Sequence, residues 1–92
     1  MEKVVGPEFP TTNRVRCNLS RLLLLIGRPV EALALGEIAL ANHDRALGRD
    51  QSWTKDSARV TADALDALGR IEEGKALRER YGVASSDEPK LS

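Results

Sequence analysis

Aromatic side chains are scarce in this chain and cysteine is almost absent. Phe9, Trp53 and Tyr81 supply the 3% of aromatic residues in a 92-residue sequence. That is too few to build a stacking platform for single-stranded nucleic acid. A lone cysteine, Cys17, forbids an internal disulfide and excludes a Cys-rich zinc module. Neither sign of charge is in excess. Fourteen Lys and Arg residues balance fourteen Asp and Glu, which excludes the basic footprint of a nucleic-acid-coating protein and a polyacidic tail. Long apolar runs are missing as well. The longest, Leu22 to Ile26, falls far below the ~20 residues of a membrane span. The segment MEKVVGPEFP has no apolar core of the kind a secretory signal needs. These absences leave a soluble, cytoplasmic, all-helical domain as the expectation, with no cofactor, no membrane and no nucleic acid among its partners.

What is present is a repeat. Shifting the chain by 42 positions aligns 6–41 with 48–83 and makes nine pairs identical, among them Thr12/Thr54, Leu23/Leu65, Gly27/Gly69, Arg28/Arg70, Glu31/Glu73 and Leu35/Leu77. Self-similarity at such a period is the mark of a helical array. Within each unit the pattern reads helix, turn, helix. Val15, Leu19, Leu22, Leu23 and Ile26 form the apolar stripe of a first helix. Pro10 suits its first turn, and Gly27 suits the left-handed residue beyond its end. Pro29 opens a second helix that runs to about Arg45. The second unit repeats the plan, with helices from about Trp53 to Leu68 and from Ile71 to about Tyr81, stopped by Gly69 and Gly82. The organisation is a lead-in (1–5), a first unit (6–47), a second unit (48–83) and a polar, disordered tail (84–92). Small residues at Ser20, Ala32, Ala39, Ala62 and Gly74 let helices approach closely, and Leu19, Leu23, Leu35, Leu65 and Leu77 fill between them.

These residues resemble a tetratricopeptide repeat (TPR) array of the long, kinesin-light-chain-like kind. The match rests on the Pro10–Thr12 opening, the Asn18-Leu19-small motif, the Gly27 turn, Glu31-Ala32 and Ala39-Leu40. Thr54, Ala62, Leu65, Gly69, Glu73 and Gly74 carry it in the second unit. The second unit departs from the pattern at Ser52, Val60 and Tyr81. The resemblance implies an all-α, right-handed α-solenoid fragment of four main helices. It implies no enzymatic activity, but a peptide- or protein-binding adaptor. Its groove is lined by first helices: Arg14, Cys17, Asn18, Arg21, Leu24 and Leu25, then Asp56, Arg59, Val60, Asp63, Asp66 and Ala67. Within that set, Arg14, Asn18, Arg21, Arg59, Asp63 and Asp66 are the expected peptide contacts. A bland alternative has the arginines pairing with the acidic second unit.

The two units are not equivalent. Val30, Leu33 and Ile38 become Glu72, Lys75 and Arg80, so the second unit reads as a capping end with a polar outer face. At the other end, Leu22, Leu24, Leu25 and Ile26 make the first helix apolar nearly all round. Either they serve the chain's own core, or they are covered by upstream TPR repeats or by a second copy in a homodimer. Val4-Val5-Gly6 reads like the end of a preceding unit. The remaining chemistry-bearing residues have structural readings. Asp56, Asp63 and Asp66 lack a histidine or cysteine at ligand spacing, so no metal site is expected. His43 is expected on the surface, Cys17 partly buried, and Trp53 packed over the link between units.

Overall fold

The computed structural model describes residues 10–83. Four helices follow one another: α1 (Pro10–Leu25), α2 (Pro29–Leu47), α3 (Ser52–Ala67) and α4 (Ile71–Tyr81). No strand occurs among the described residues, so the fold is all-α. The expected lead-in (1–5), the Val4-Val5-Gly6 segment and the tail (84–92) lie outside them.

The 42-residue register is written into the turns. Gly27 and Gly69 take positive φ values of 83° and 82°, a region that side-chain-bearing residues avoid. Behind them Arg28 and Arg70 donate backbone N–H groups to Leu23 and Leu65, each at 2.8 Å. This is the wrap-back bond of a Schellman-type helix end. Arg28 pairs with Glu31 and Arg70 with Glu73, each three residues on. The identities Gly27/Gly69, Arg28/Arg70 and Glu31/Glu73 thus encode one turn used twice. The bond from Arg70 is the main reason the Glu73 carboxyl titrates below its usual range.

Each helix packs on the next, and α1 also touches α3. Small and polar side chains make the contacts. Asn13, Cys17 and Ser20 of α1 are fully buried, as are Ala32, Ala39 and His43 of α2 and Thr54, Ser57, Ala58, Ala62 and Ala64 of α3. Ser20 donates to the Ala32 carbonyl at 2.6 Å, Asn42 to Asn13 at 3.2 Å, and Thr61 to the Ser57 carbonyl at 2.7 Å. Gly36 brings α2 so near α3 that a Cβ there would stand 2.6 Å from Thr61 Oγ1. Around these contacts lie modest clusters: Ala32, Leu33, Ala64 and Leu65, then Cys17, Ala39 and Val60, then Leu40, Ala58 and Tyr81.

Several expectations change here. Leu19 does not fill between helices. It is half-exposed, as are Val15 and Leu22, with Ile26 more so. α1 docks by the stripe Asn13, Cys17, Ser20 and Leu24, and presents its most apolar stripe outward. His43 is buried, not on the surface. Cys17 is wholly buried rather than partly so, and it has no disulfide. Of the three sites behind the capping argument, Leu33 is buried in the core, but Val30 and Ile38 are exposed.

Substituting Gly36 by Ala adds a methyl that the α2–α3 contact has no room for. The expected cost is about 1–3 kcal/mol in urea unfolding, the usual range for overpacking. Combining it with Thr61→Ala removes the nearest obstacle, so the double variant should lose less than the two single losses added together.

Candidate functional site

α1 and α3 lie side by side on one surface and leave a groove of about 580 Å³ between them. Arg21, Leu24 and Leu25 form one wall, and Arg59, Val60, Asp63, Asp66 and Ala67 the other. Helical spacing explains the set. Residues three and four apart share a face, so Arg59, Asp63 and Asp66 follow each other along α3. Arg21, Leu24 and Leu25 do the same on α1. Leu24, Val60 and Ala67 give the groove an apolar lining, with Val60 buried beneath it.

The charges in and around the groove are largely paired. Arg14 donates to Asp56 at 2.8 Å, and Arg59 reaches the other oxygen of the same carboxylate at 3.0 Å. Arg14 and Asp56 are 42 positions apart, so equivalent sites of the two units face each other as opposite charges. Arg78, on α4, donates to Asp63 and Asp66, both at 2.7 Å. Burial works against the Arg78 charge, but hydrogen bonds to Asp66 and Asp63 outweigh it and raise the guanidinium pKa. One Asp66 oxygen, Oδ1, is buried without a hydrogen-bond partner. A Cβ on Gly74 would stand 2.5 Å from that oxygen.

Arg21 is the exception. It donates to the uncharged Asn18 at a long 3.3 Å, and both residues are exposed. Four guanidinium groups (Arg14, Arg21, Arg59, Arg78) therefore meet three carboxylates (Asp56, Asp63, Asp66), and the surplus cation is Arg21. Of the expected peptide contacts, Arg21, Arg59, Asp63 and Asp66 line the groove. Asn18 stands beside Arg21, and Arg14 is turned to Asp56. Arg78 was not anticipated, because it sits on the second helix of its unit. Its signal in the sequence is the register, since Arg78 occupies the position of Gly36.

Trp53 packs across the units. Its ring lies 5.8 Å from that of His43, and the Arg14 guanidinium sits 5.4 Å from its centre. His43 Nδ1 lies 2.8 Å from Ser57 Oγ. That is the spacing of a base and a hydroxyl nucleophile, but both side chains are fully buried, so no substrate reaches them in this conformation. Asp44, next in sequence, points elsewhere and accepts from the Tyr81 hydroxyl at 2.6 Å. Of the expected self-association residues, Leu22, Leu25 and Ile26 are exposed. Leu24 instead packs against two of the core clusters.

No family model, curated protein or solved structure matches this chain. Its function therefore has to be read from its own surfaces. Among the described residues there is no cluster of three or more His, Cys, Asp or Glu that could hold a metal, and no helix is long and apolar enough to cross a membrane.

A larger cleft of about 820 Å³ lies between α2 and α4, floored by Leu40, Leu65 and Leu77. Sequence reasoning did not single it out. Part of its rim is tied up within the fold. Asp44 holds Tyr81, Glu73 pairs with Arg70, and Arg45 donates to Asn42. Glu37 and Arg80 also line it and are of opposite sign, so together they leave no one-sided charge of the kind Arg21 gives the α1–α3 groove.

Tyr81 closes that cleft and gives the fold a pH dependence. Burial, then the hydrogen bond to Asp44 and its charge, raise the phenol pKa, while Arg80 and Arg49 pull it down by less. A raised acid pKa means that the folded state favours the neutral phenol. The resulting stability is present below the unfolded value near ~10 and is lost as pH rises through the folded value. Tyr81 is the sole tyrosine, so tyrosinate absorbance reports it alone. Its midpoint should lie above that of the urea-unfolded chain, and Tyr81→Phe should abolish the alkaline loss of stability assigned to this group.

Proposed function

We propose that this chain is a non-enzymatic, cytoplasmic adaptor whose two TPR-like hairpins hold an extended peptide in the groove between α1 and α3. The observation that carries this reading is the surplus, exposed Arg21 beside an apolar lining. A carboxylate presented to the groove would meet a guanidinium whose bond to Asn18 is long and cheap to exchange. An apolar side chain one or two residues away would cover Leu24, Leu25 and Ala67. Asn18 adds an amide able to bond the peptide backbone. Asp63 and Asp66 contribute by fixing Arg78 and the shape of the wall, because their charges are already answered. A mixed acidic and apolar peptide is therefore the ligand class.

Panning a random-peptide display library on the full chain, then titrating an enriched peptide by fluorescence polarisation, tests the proposal. Enriched sequences should place Asp or Glu within three positions of a large aliphatic residue. Arg21→Glu should weaken binding at least tenfold, about 1.4 kcal/mol. The fold should survive, because Arg21 is exposed and bonded only within its own helix. An enriched set without acidic residues, or an affinity unmoved by Arg21→Glu, would contradict the proposal.

A further inference from the structure

The α2–α4 cleft shares no lining residue with the α1–α3 groove. Two charges on its rim, Glu37 and Arg80, enter no hydrogen bond or ion pair among the described residues. Arg70, whose charge reaches Glu37, is bonded to Glu73. Glu37 and Arg80 stand towards opposite ends. Arg80 adjoins Tyr81, which is bonded to Asp44, and Glu37 lies two turns before Asp44 on α2, about 10 Å along the helix axis. The backbones of α2 and α4 do not approach each other closely, so the cleft is a gap that another segment can fill.

The chain leaves the described residues at the Arg80 end of this cleft. Gly82 closes α4 with a left-handed φ of 66°. The Val83 N–H turns back to the Arg78 carbonyl at 3.0 Å, and Val83 packs against the cluster of Leu40, Ala58 and Tyr81 beside Leu77. Leu40, Leu77 and Tyr81 all line the cleft. The residues that follow Val83 therefore start at its mouth.

We propose that residues 84–92 lie back along this cleft as an intramolecular strap, with Leu91 on its leucine floor. The order of charges fixes the direction. From Val83 outward the segment carries Asp87 and Glu88 first, then Lys90 and Leu91. From the same end the cleft offers Arg80 first and Glu37 second. Extended, Asp87 to Lys90 spans about 10 Å, which matches the distance from the Tyr81 end of the cleft to Glu37. Pro89 favours that extended form, because the residue before a proline is pushed out of the helical region. Reach is ample. The chain from Val83 to Leu91 extends to about 26 Å, and Ala84, Ser85 and Ser86 take up the slack. One leucine and two surface ion pairs bind weakly when free. Tethering supplies an effective concentration of about a millimolar, so the strap closes within its own chain. Closed, it covers the leucine floor and links α4 to α2.

Disulfide trapping in the full chain tests the strap, in a Cys17→Ala background with Ser92→Cys as one partner. The other partner is Ala76→Cys, on the cleft wall, or Lys55→Cys. Lys55 is nearer the root of the segment but outside the cleft, its Nζ lying 3.9 Å from where a Cβ on Gly82 would stand. Closure at position 76 should be at least about tenfold faster than at position 55. Leu91→Ser should remove that advantage. Lys90→Glu should slow closure at position 76, and adding Glu37→Lys should restore it, a reciprocal effect that damage to the fold does not produce. Equal rates at the two positions, or a faster rate at position 55, would overturn the proposal. So would an advantage that survives Leu91→Ser, a charge reversal without rescue, or cross-links between chains in place of closure within one.

Discussion

Everything in this fold depends on how closely α2 sits between its neighbours. It touches α1 through Ala32, Ala39 and Asn42 and α3 through Leu33, Gly36, Leu40 and His43. At these separations there is no room for rows of leucine. Close packing of small residues gains dispersion contacts, and most of the hydroxyl, amide and imidazole groups buried with them find partners, Thr54 Oγ1 being a buried hydroxyl that has none. The cost is a core with few large apolar side chains. Bulk that the interior cannot hold is displaced outward, chiefly onto α1.

The same closeness organises the charges. The formal net charge is zero, yet the charges are segregated, with arginines on α1 and carboxylates along one side of α3. Setting the two helices side by side turns segregation into pairing, most directly where Arg14 meets Asp56. Arg78 reaches over from α4 to answer Asp63 and Asp66. Such partly exposed pairs contribute little stability individually, and their consequence lies in what remains. With three carboxylates answered, Arg21 keeps a charge that only an outside group can meet. The selectivity proposed for the groove thus rests on pairing arithmetic in the folded chain.

The helices and their ends were legible in the sequence because glycine and proline mark them for reasons local to the backbone. Gly27 and Gly69 take the positive φ that their positions demanded, and Pro29 begins a helix. The small residues Ser20, Ala32, Ala39, Ala62 and Gly74 are buried where the repeat register placed them. What local periodicity could not tell was which stripe of α1 faces inward. The apolar moment favours Val15, Leu19, Leu22 and Ile26, yet the neighbouring helix accepts only the small stripe. The register held the answer, because those four positions match the α2-facing side of α3. The burial of His43 is hidden from the sequence for a similar reason. A buried histidine needs a partner from another helix, and nothing near it in sequence announces Ser57. The sequence puts Arg14 and Asp56 in one groove and offers pairing with the acidic second unit as an alternative, but only the folded chain shows which carboxylate answers which arginine.

Which face of α1 is docked can be measured directly by thiol labelling. The wild-type chain carries one reporter, Cys17, on the small stripe, and Leu22→Cys in a Cys17→Ala background places one on the apolar stripe. In dilute solution, docking by the small stripe predicts that Cys17 reacts at least about a hundredfold more slowly than in the urea-unfolded chain, since reaction requires α1 to open. The thiol at position 22 should react at nearly the unfolded rate. Fast labelling at Cys17 together with protection at position 22 would mean that α1 is docked by its apolar stripe, contradicting the packing on which the groove rests.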